Sequence, residues 1–352
     1  MNIFQNHINL ISQIFMLFFL QLIFLGCYKD DNLPLSSETQ TNIVISSINH
    51  LAFPDLLFYN NIWYLTFRES DAHVKGSFSK IKVLKSFDFK NWTEINSYEL
   101  TGFDLRDPKL SYNELTDNIY LHIPATNTSG VYGVIRKNFI VEFNKHNLQF
   151  LSDSLRHTIK LPDKYPNDWL WRPVWHEGIL FAAGYKQGNL RFYKYENYNK
   201  PPLIFSYLEG NGSSEATLNF NNDKIYTLVR RGVDAYFGTG LLIDVMKFDS
   251  LSSILNFEWT SLPFPELGGP NVVIYNDKAF IGGRTPEYKT AIINYSISKN
   301  EIENIEELYS FGDNSYPGMV IYNDVLYGVY YTQSENLQTF QIRSFLYPLT
   351  QQ

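Results

Sequence analysis

Arginines, carboxylates and tyrosines recur at matching places along this chain. They flank short apolar segments centred on a turn, sitting just before the first apolar run or just after the second. The first half gives Asp55 with Arg68 and Glu69, Arg106 and Asp107 with His122, and Arg172 with Tyr185. The second half gives Glu215 with Arg230 and Arg231, Asn271 with Arg284, and Tyr316 with Tyr330 and Tyr331. Guanidinium groups give paired hydrogen bonds to carboxylates, and Glu, Asp, His and Tyr move protons. Salt bridges between neighbouring elements would use the same residue types one at a time. Their recurrence in consecutive segments favours a shared polar pocket.

The elements that must position them repeat six times. An apolar run, a tight turn and a second apolar run span residues 55–68, 108–122, 173–185, 216–230, 270–284 and 317–331. Turns such as Asn60-Asn61, Glu177-Gly178 and Asn276-Asp277 between β-branched and aromatic runs read as hairpins. Successive copies start 53, 65, 43, 54 and 47 residues apart, each interval long enough for a four-stranded blade. The spacing predicts an all-β fold: a six-bladed β-propeller of four-stranded antiparallel blades. A β-sandwich would not repeat at this period, and no long amphipathic helix competes. In an antiparallel hairpin the residues before strand one and after strand two share an edge. Because the innermost strands ring the axis, those edges converge on one mouth.

A second signature lies at Ser86-Phe87-Asp88-Phe89-Lys90-Asn91-Trp92, which resembles the Asp-box, Ser-x-Asp-x-x-x-Trp, of sialidase-like outer hairpins. Its Ser and Asp are expected to cap the turn and its Trp to pack between strands. With the repeat, residues 48 to 345 resemble the sialidase superfamily. The resemblance implies an exo-acting glycoside hydrolase that releases a terminal acidic sugar. It implies Tyr316, in Ser315-Tyr316-Pro317, as nucleophile, and Glu215, in Ser214-Glu215-Ala216, as the base. Three arginines would clamp the sugar carboxylate: Arg231, in preference to Arg230, matches the second, and Arg284 the third. Ala52 stands at the position of the first, so Arg68, Arg106 or Arg172 would have to substitute from the rim. The general acid falls on the loop after the first hairpin, where Asp71 is placed and His73 could also serve.

Two other readings use the same residues. A uronate-directed polysaccharide lyase would neutralise the carboxylate with arginines and move the proton with Tyr316 or His73. A surface glycan-binding propeller would need only aromatic platforms. A Tyr316 hydroxyl within reach of Glu215 favours the hydrolase; a groove lined by Trp169, Trp171 and Trp175 favours a lyase or a binder.

The N-terminal residues Ile8 to Leu25 are almost wholly apolar and end in Leu25-Gly26-Cys27, which resembles a bacterial lipobox. The expectation is a signal peptide over 1–26, acylation of Cys27, a tether over 27–47 and one propeller domain over 48–350. A transmembrane helix is the competing reading of the apolar run. Tyr28-Lys29-Asp30-Asp31 resembles the sorting signal of outer-membrane lipoproteins exposed at the cell surface. Cys27 is the only cysteine, so internal disulfides and thiolate metal sites are excluded, and neither metal nor cofactor is expected. A net charge of −7 without a basic stripe argues against nucleic acid. Aromatic residues make up 16% of the chain, which suits β-structure and sugar contacts and leaves a glycan as the expected partner of a monomer.

Overall fold

The computed structural model describes residues 39–128, 134–151, 155, 157–248, 254–264 and 267–349. Cys27 and the apolar run before it lie outside the described residues. The described chain forms a six-bladed β-propeller. Blade one is β2 (His50–Tyr59), β3 (Ile62–Ser70), β4 (Ser79–Ser86) and β5 (Thr93–Tyr98), hydrogen-bonded in chain order. Blade two has a divided inner strand: β6 (Phe103–Leu105) and β7 (Lys109–Asn113) both pair with β8 (Asn118–Asn127), followed by β9 (Arg136–Asn144) and β10 (Gln149–Phe150). Blade three is β11 (Trp169–His176), β12 (Ile179–Lys186), β13 (Asn189–Tyr195) and β14 (Leu203–Leu208). Blade four is β15 (Ala216–Asn221), β16 (Lys224–Arg230), β17 (Ala235–Leu241) and β18 (Glu258–Leu262). Blade five is β19 (Gly268–Tyr275), β20 (Lys278–Arg284), β21 (Thr290–Ser296) and β22 (Glu301–Glu307).

Blade six is assembled from both ends of the domain. It runs β23 (Ser315–Tyr322), β24 (Val325–Gln333), β25 (Phe340–Pro348) and then β1 (Thr41–Ser47), which pairs antiparallel with β25. The expected tether therefore ends earlier than residue 47. The reason is physical: β25 would otherwise present an unpaired edge, and the β-branched run Ile43-Val44-Ile45 supplies the missing strand.

Each gap between neighbouring blades carries its own apolar core. Tyr64, Val83, Ile119 and Leu121 pack between blades one and two, and Phe181, Phe192, Leu218 and Val229 between three and four. Met319, Tyr330 and Phe280 lie between five and six. Fully burying such a side chain stabilises by about 1.5–3 kcal/mol, so the ring is held by six moderate cores. On the outer hairpin of blade one, Asp88 Oδ1 accepts from the amides of Lys90 and Asn91 at 2.9 and 2.8 Å, and Phe89 takes a left-handed φ of 61°.

One irregularity recurs and decides where the polar residues point. The inner strands of blades one, three, five and six each shift register, between Ala52 and Asp55, Trp171 and Val174, Gly268 and Asn271, and Ser315 and Gly318. In blade two the shift is complete enough to split the strand. A left-handed residue followed by proline stands at every one: Phe53 (φ 59°), Asp107 (46°), Arg172 (40°), Gly269 (60°) and Tyr316 (54°). Blade four has Glu215 before Ala216 at the equivalent place, paired with Arg230 without a shift. Bulges of this kind re-aim a side chain out of the alternating pattern of a strand. Here they turn Phe53, Asp107 and Tyr316 toward a cavity that Glu215 also lines.

Candidate active site

The cavity holds about 150 Å³ and is small for a ligand site. On one wall Tyr316 Oη donates to Glu215 Oε1 at 2.8 Å. The other carboxylate oxygen accepts from Arg230 Nη1 at 3.2 Å and from the Gly269 backbone N–H at 2.9 Å. Glu215 is thus held on both oxygens by residues of three blades. The Tyr316 ring is fixed edge-on against Phe53 at 5.0 Å and Trp171 at 5.7 Å. Burial, then the negative charge of Glu215, push the Tyr316 phenol well above its ordinary range. No phenolate is stored at neutral pH; the proton leaves only as something replaces it on oxygen.

The opposite wall belongs to blades two and three. Trp169 Nε1 donates to Asp107 Oδ2 at 3.0 Å, while Asp107 Oδ1 is buried without a hydrogen-bond partner in the protein. Burial raises the Asp107 carboxyl above its usual range, and Glu215 adds to this. Arg106 and Arg136 stand 5.0 and 5.6 Å from the Trp169 ring and both line the cavity. Arg136 begins β9, the third strand of its blade, and no pattern in the inner hairpins points to it.

Four other arginines named from the sequence are engaged elsewhere. Arg68 is fully buried, gives two hydrogen bonds to Asp104 Oδ1 at 3.2 and 2.8 Å, and bonds to the carbonyls of Leu105 and Ala72. Arg172 bridges Asp55 at 2.5 Å and the Pro317 carbonyl at 2.7 Å, tying blades one, three and six together. Arg284 lies beside Asp313 and the Asn314 carbonyl at 3.4 and 3.2 Å. Arg231 pairs with Asp234 at 3.2 Å and covers the Tyr236 ring at 3.5 Å. Neither Arg231 nor Arg284 lines the cavity. Arg230, whose backbone N–H bonds to the Glu215 carbonyl at 2.8 Å, is the arginine beside Glu215, and one residue further the strand's alternation faces the other way.

Asp71 is exposed and closes its own loop, accepting from the Ser77 amide at 2.8 and 3.0 Å and from its hydroxyl at 2.5 Å. Those bonds hold its carboxyl below the usual range, opposite to what a general acid needs. His73 lines the cavity instead. Its Nδ1 lies 2.6 Å from Asp313 Oδ2, and His50 Nε2 lies 2.9 Å from the same oxygen. These three donor atoms sit within 4.8 Å of one another. Two ligands on a tetrahedral ion, each about 2.0–2.1 Å from it, stand about 3.3 Å apart, so the spacing here is that of hydrogen bonds. The tryptophans form no common groove: Trp169 lines the cavity, Trp171 is buried, and Trp175 packs on Tyr120.

No protein-family model and no curated protein matches the sequence. Solved structures match the fold. A Hadza microbial sialidase, Hz136, superimposes with a TM-score of 0.63 at 11% identity, over 84% of this chain and 67% of that one. Trypanosoma rangeli sialidase, in its covalent intermediate with 2,3-difluorosialic acid, gives 0.61 at 11% identity, over 85% of this chain and 54% of that one. This chain thus spans about half of the trypanosomal enzyme. A Penicillium chrysogenum alpha-L-arabinanase complexed with arabinobiose gives 0.61 at 11% identity, over 89% and 99%. The fold is a sialidase-like propeller, and its structural neighbours are glycoside hydrolases.

Proposed function

We propose that the protein is an exo-acting glycoside hydrolase of sialidase type that releases a terminal acidic sugar. The observation that carries this reading is the 2.8 Å hydrogen bond from Tyr316 to Glu215 on the wall of the axial cavity. A phenol of ordinary pKa about 10 is a poor nucleophile until a base takes its proton. Glu215 is placed to take it as Tyr316 Oη bonds to the anomeric carbon and the glycosidic C–O bond breaks. Water then releases the sugar, and the phenol recovers its proton from Glu215. A neutral nucleophile suits an anionic sugar, since a carboxylate in its place would be repelled. Arg106, which the sequence offered as a substitute from the rim, and Arg136, which it did not, supply positive charge on the facing wall.

The test uses purified protein on an aryl α-sialoside and on arrayed sialosides, uronic-acid glycans and arabinofuranosides. Tyr316→Phe should abolish turnover, and Glu215→Gln should lower it by about 10²–10⁴-fold. The double variant should be scarcely worse than Tyr316→Phe, because residues acting as one unit are not additive. Full turnover in either single variant, or no turnover of any arrayed glycan by the parent, rules the reading out.

A further inference from the structure

We infer that His73, oriented by Asp313, is the group that gives the leaving oxygen its proton, a step that rests on the Tyr316–Glu215 reading above. The Phe53 ring touches both players: it lies 5.2 Å from the His73 ring and 5.0 Å from the Tyr316 ring, edge-on in each case. His73 and Tyr316 therefore flank one phenyl group at the rim of the same cavity. A sugar whose anomeric carbon meets Tyr316 has its departing oxygen on the far face, and His73 is the cavity-lining imidazole.

The orientation of the ring follows from its partner. Nδ1 at 2.6 Å from a carboxylate oxygen must carry a proton, and its partner, Asp313, is not among the residues lining the cavity. Nε2, across the ring, is left for substrate. Asp313 is itself fixed from several sides. Its Oδ1 accepts from Tyr331 Oη at 2.8 Å and from Arg284 at 3.4 Å, and its backbone N–H donates to Gln333 Oε1 at 2.9 Å. Its Oδ2 accepts a second imidazole, His50, at 2.9 Å. The two histidines are unlike. The His50 side chain is 5% exposed and that of His73 44%. Burial lowers the pKa of His50, so it acts as a neutral donor that braces Asp313. Burial pushes Asp313 up, yet the bonds from His50, His73 and Tyr331 hold it well below the ordinary carboxylate range. It stays ionised and keeps the His73 ring in one tautomer.

The proton balance closes over two steps. In the first, His73 Nε2–H gives its proton to the oxygen whose bond to the anomeric carbon is breaking. In the second, neutral Nε2 takes a proton from the attacking water as the tyrosyl–sugar bond breaks. The charged groups facing His73 are Asp313 and, through it, Arg284, and the neutral, titratable His50 of blade one packs beside it. Arg106, Asp107, Arg136 and Glu215 share the cavity across from it.

The leaving group provides the test. An aryl α-sialoside expels a phenol that needs little help, whereas a sialyl-oligosaccharide expels a sugar alcohol that needs a proton. His73→Gln should lower kcat/KM on the oligosaccharide by about 10²–10⁴-fold and lower it far less on the aryl substrate. Asp313→Asn should show the same dependence on leaving group to a smaller degree, with Asp313→Glu recovering part of it. Merely structural residues would slow both substrates alike. Equal losses on both substrates therefore overturn the role of His73 and leave the Tyr316–Glu215 reading standing. A parent protein inactive on both overturns the two together.

Discussion

His122 is buried on β8, paired across the strands with Lys109. Burial first, then the positive charge of Lys109, push its pKa down to about 3, against an unfolded value of about 6.5. The unfolded chain takes up this proton as pH falls below 6.5, while the folded chain refuses it until about pH 3. The contribution is therefore fully present above pH 6.5 and is lost as pH falls, at up to about 1.4 kcal/mol per pH unit. His50 acts in the same direction. Urea denaturation between pH 7 and 4.5 should show His122→Gln with a shallower loss of stability than the parent, by about one proton. Parallel curves would mean that His122 is charged when folded. At this scale the strand starts were enough to bring Glu215 and Tyr316 to one cavity, but not to show that Arg68, Arg172 and Arg284, on the same hairpins, are bonded to Asp104, Asp55 and Asp313. Arg136 could not be placed, because it reaches the cavity from a third strand, and Arg230 could not be told from Arg231 without the register of β16.

At the scale of elements, the inner strands owe their function to a defect repeated five times. Left-handed backbone is costly for residues with a Cβ, about 1–3 kcal/mol where it is strained, yet Phe53, Asp107, Arg172 and Tyr316 all adopt it. Gly269 is the exception, and its neighbours explain it. A Cβ there would run into the Tyr316 ring, and its own N–H holds Glu215. Gly269→Ala is expected to displace Tyr316 and cost about 1–3 kcal/mol of stability by overpacking. Turnover should fall much further than that loss alone implies, as read by kcat beside a melting curve. Unchanged kcat would show that the phenol tolerates movement. The hairpins themselves were plain from their turns and period. The bulges left a sequence trace in Phe53-Pro54, Asp107-Pro108, Arg172-Pro173, Gly269-Pro270 and Tyr316-Pro317. Proline announces only that the preceding residue is restricted; the side to which it turns depends on the partner strand.

For the whole molecule, the closure of blade six by β1 is the feature the hairpin repeat could not reveal, since a lone strand has no turn or period. Val44 and Ile45 pack against the core shared by blades six and one. A chain beginning at His50 should lose about 3 kcal/mol from that burial and melt about 5 °C lower for a domain of this size. An unchanged melting temperature would show that β1 merely lies on a ring already complete.

That seam also sets an order in time. Thr41 pairs with Phe345, 304 residues further on, whereas neighbours within a blade meet across short turns. Bringing such distant ends together costs about 3 kcal/mol more in chain entropy than closing a ten-residue loop. An N-terminal strand emerges first, and at about 5–20 residues per second its partner follows about 15–60 s later. Through that interval Ile43, Val44 and Ile45 have no strand edge to join. Whatever delays β25 leaves β1 free to pair with the waiting edge of another copy, so the closure that completes one ring is also the place where two chains can become entangled.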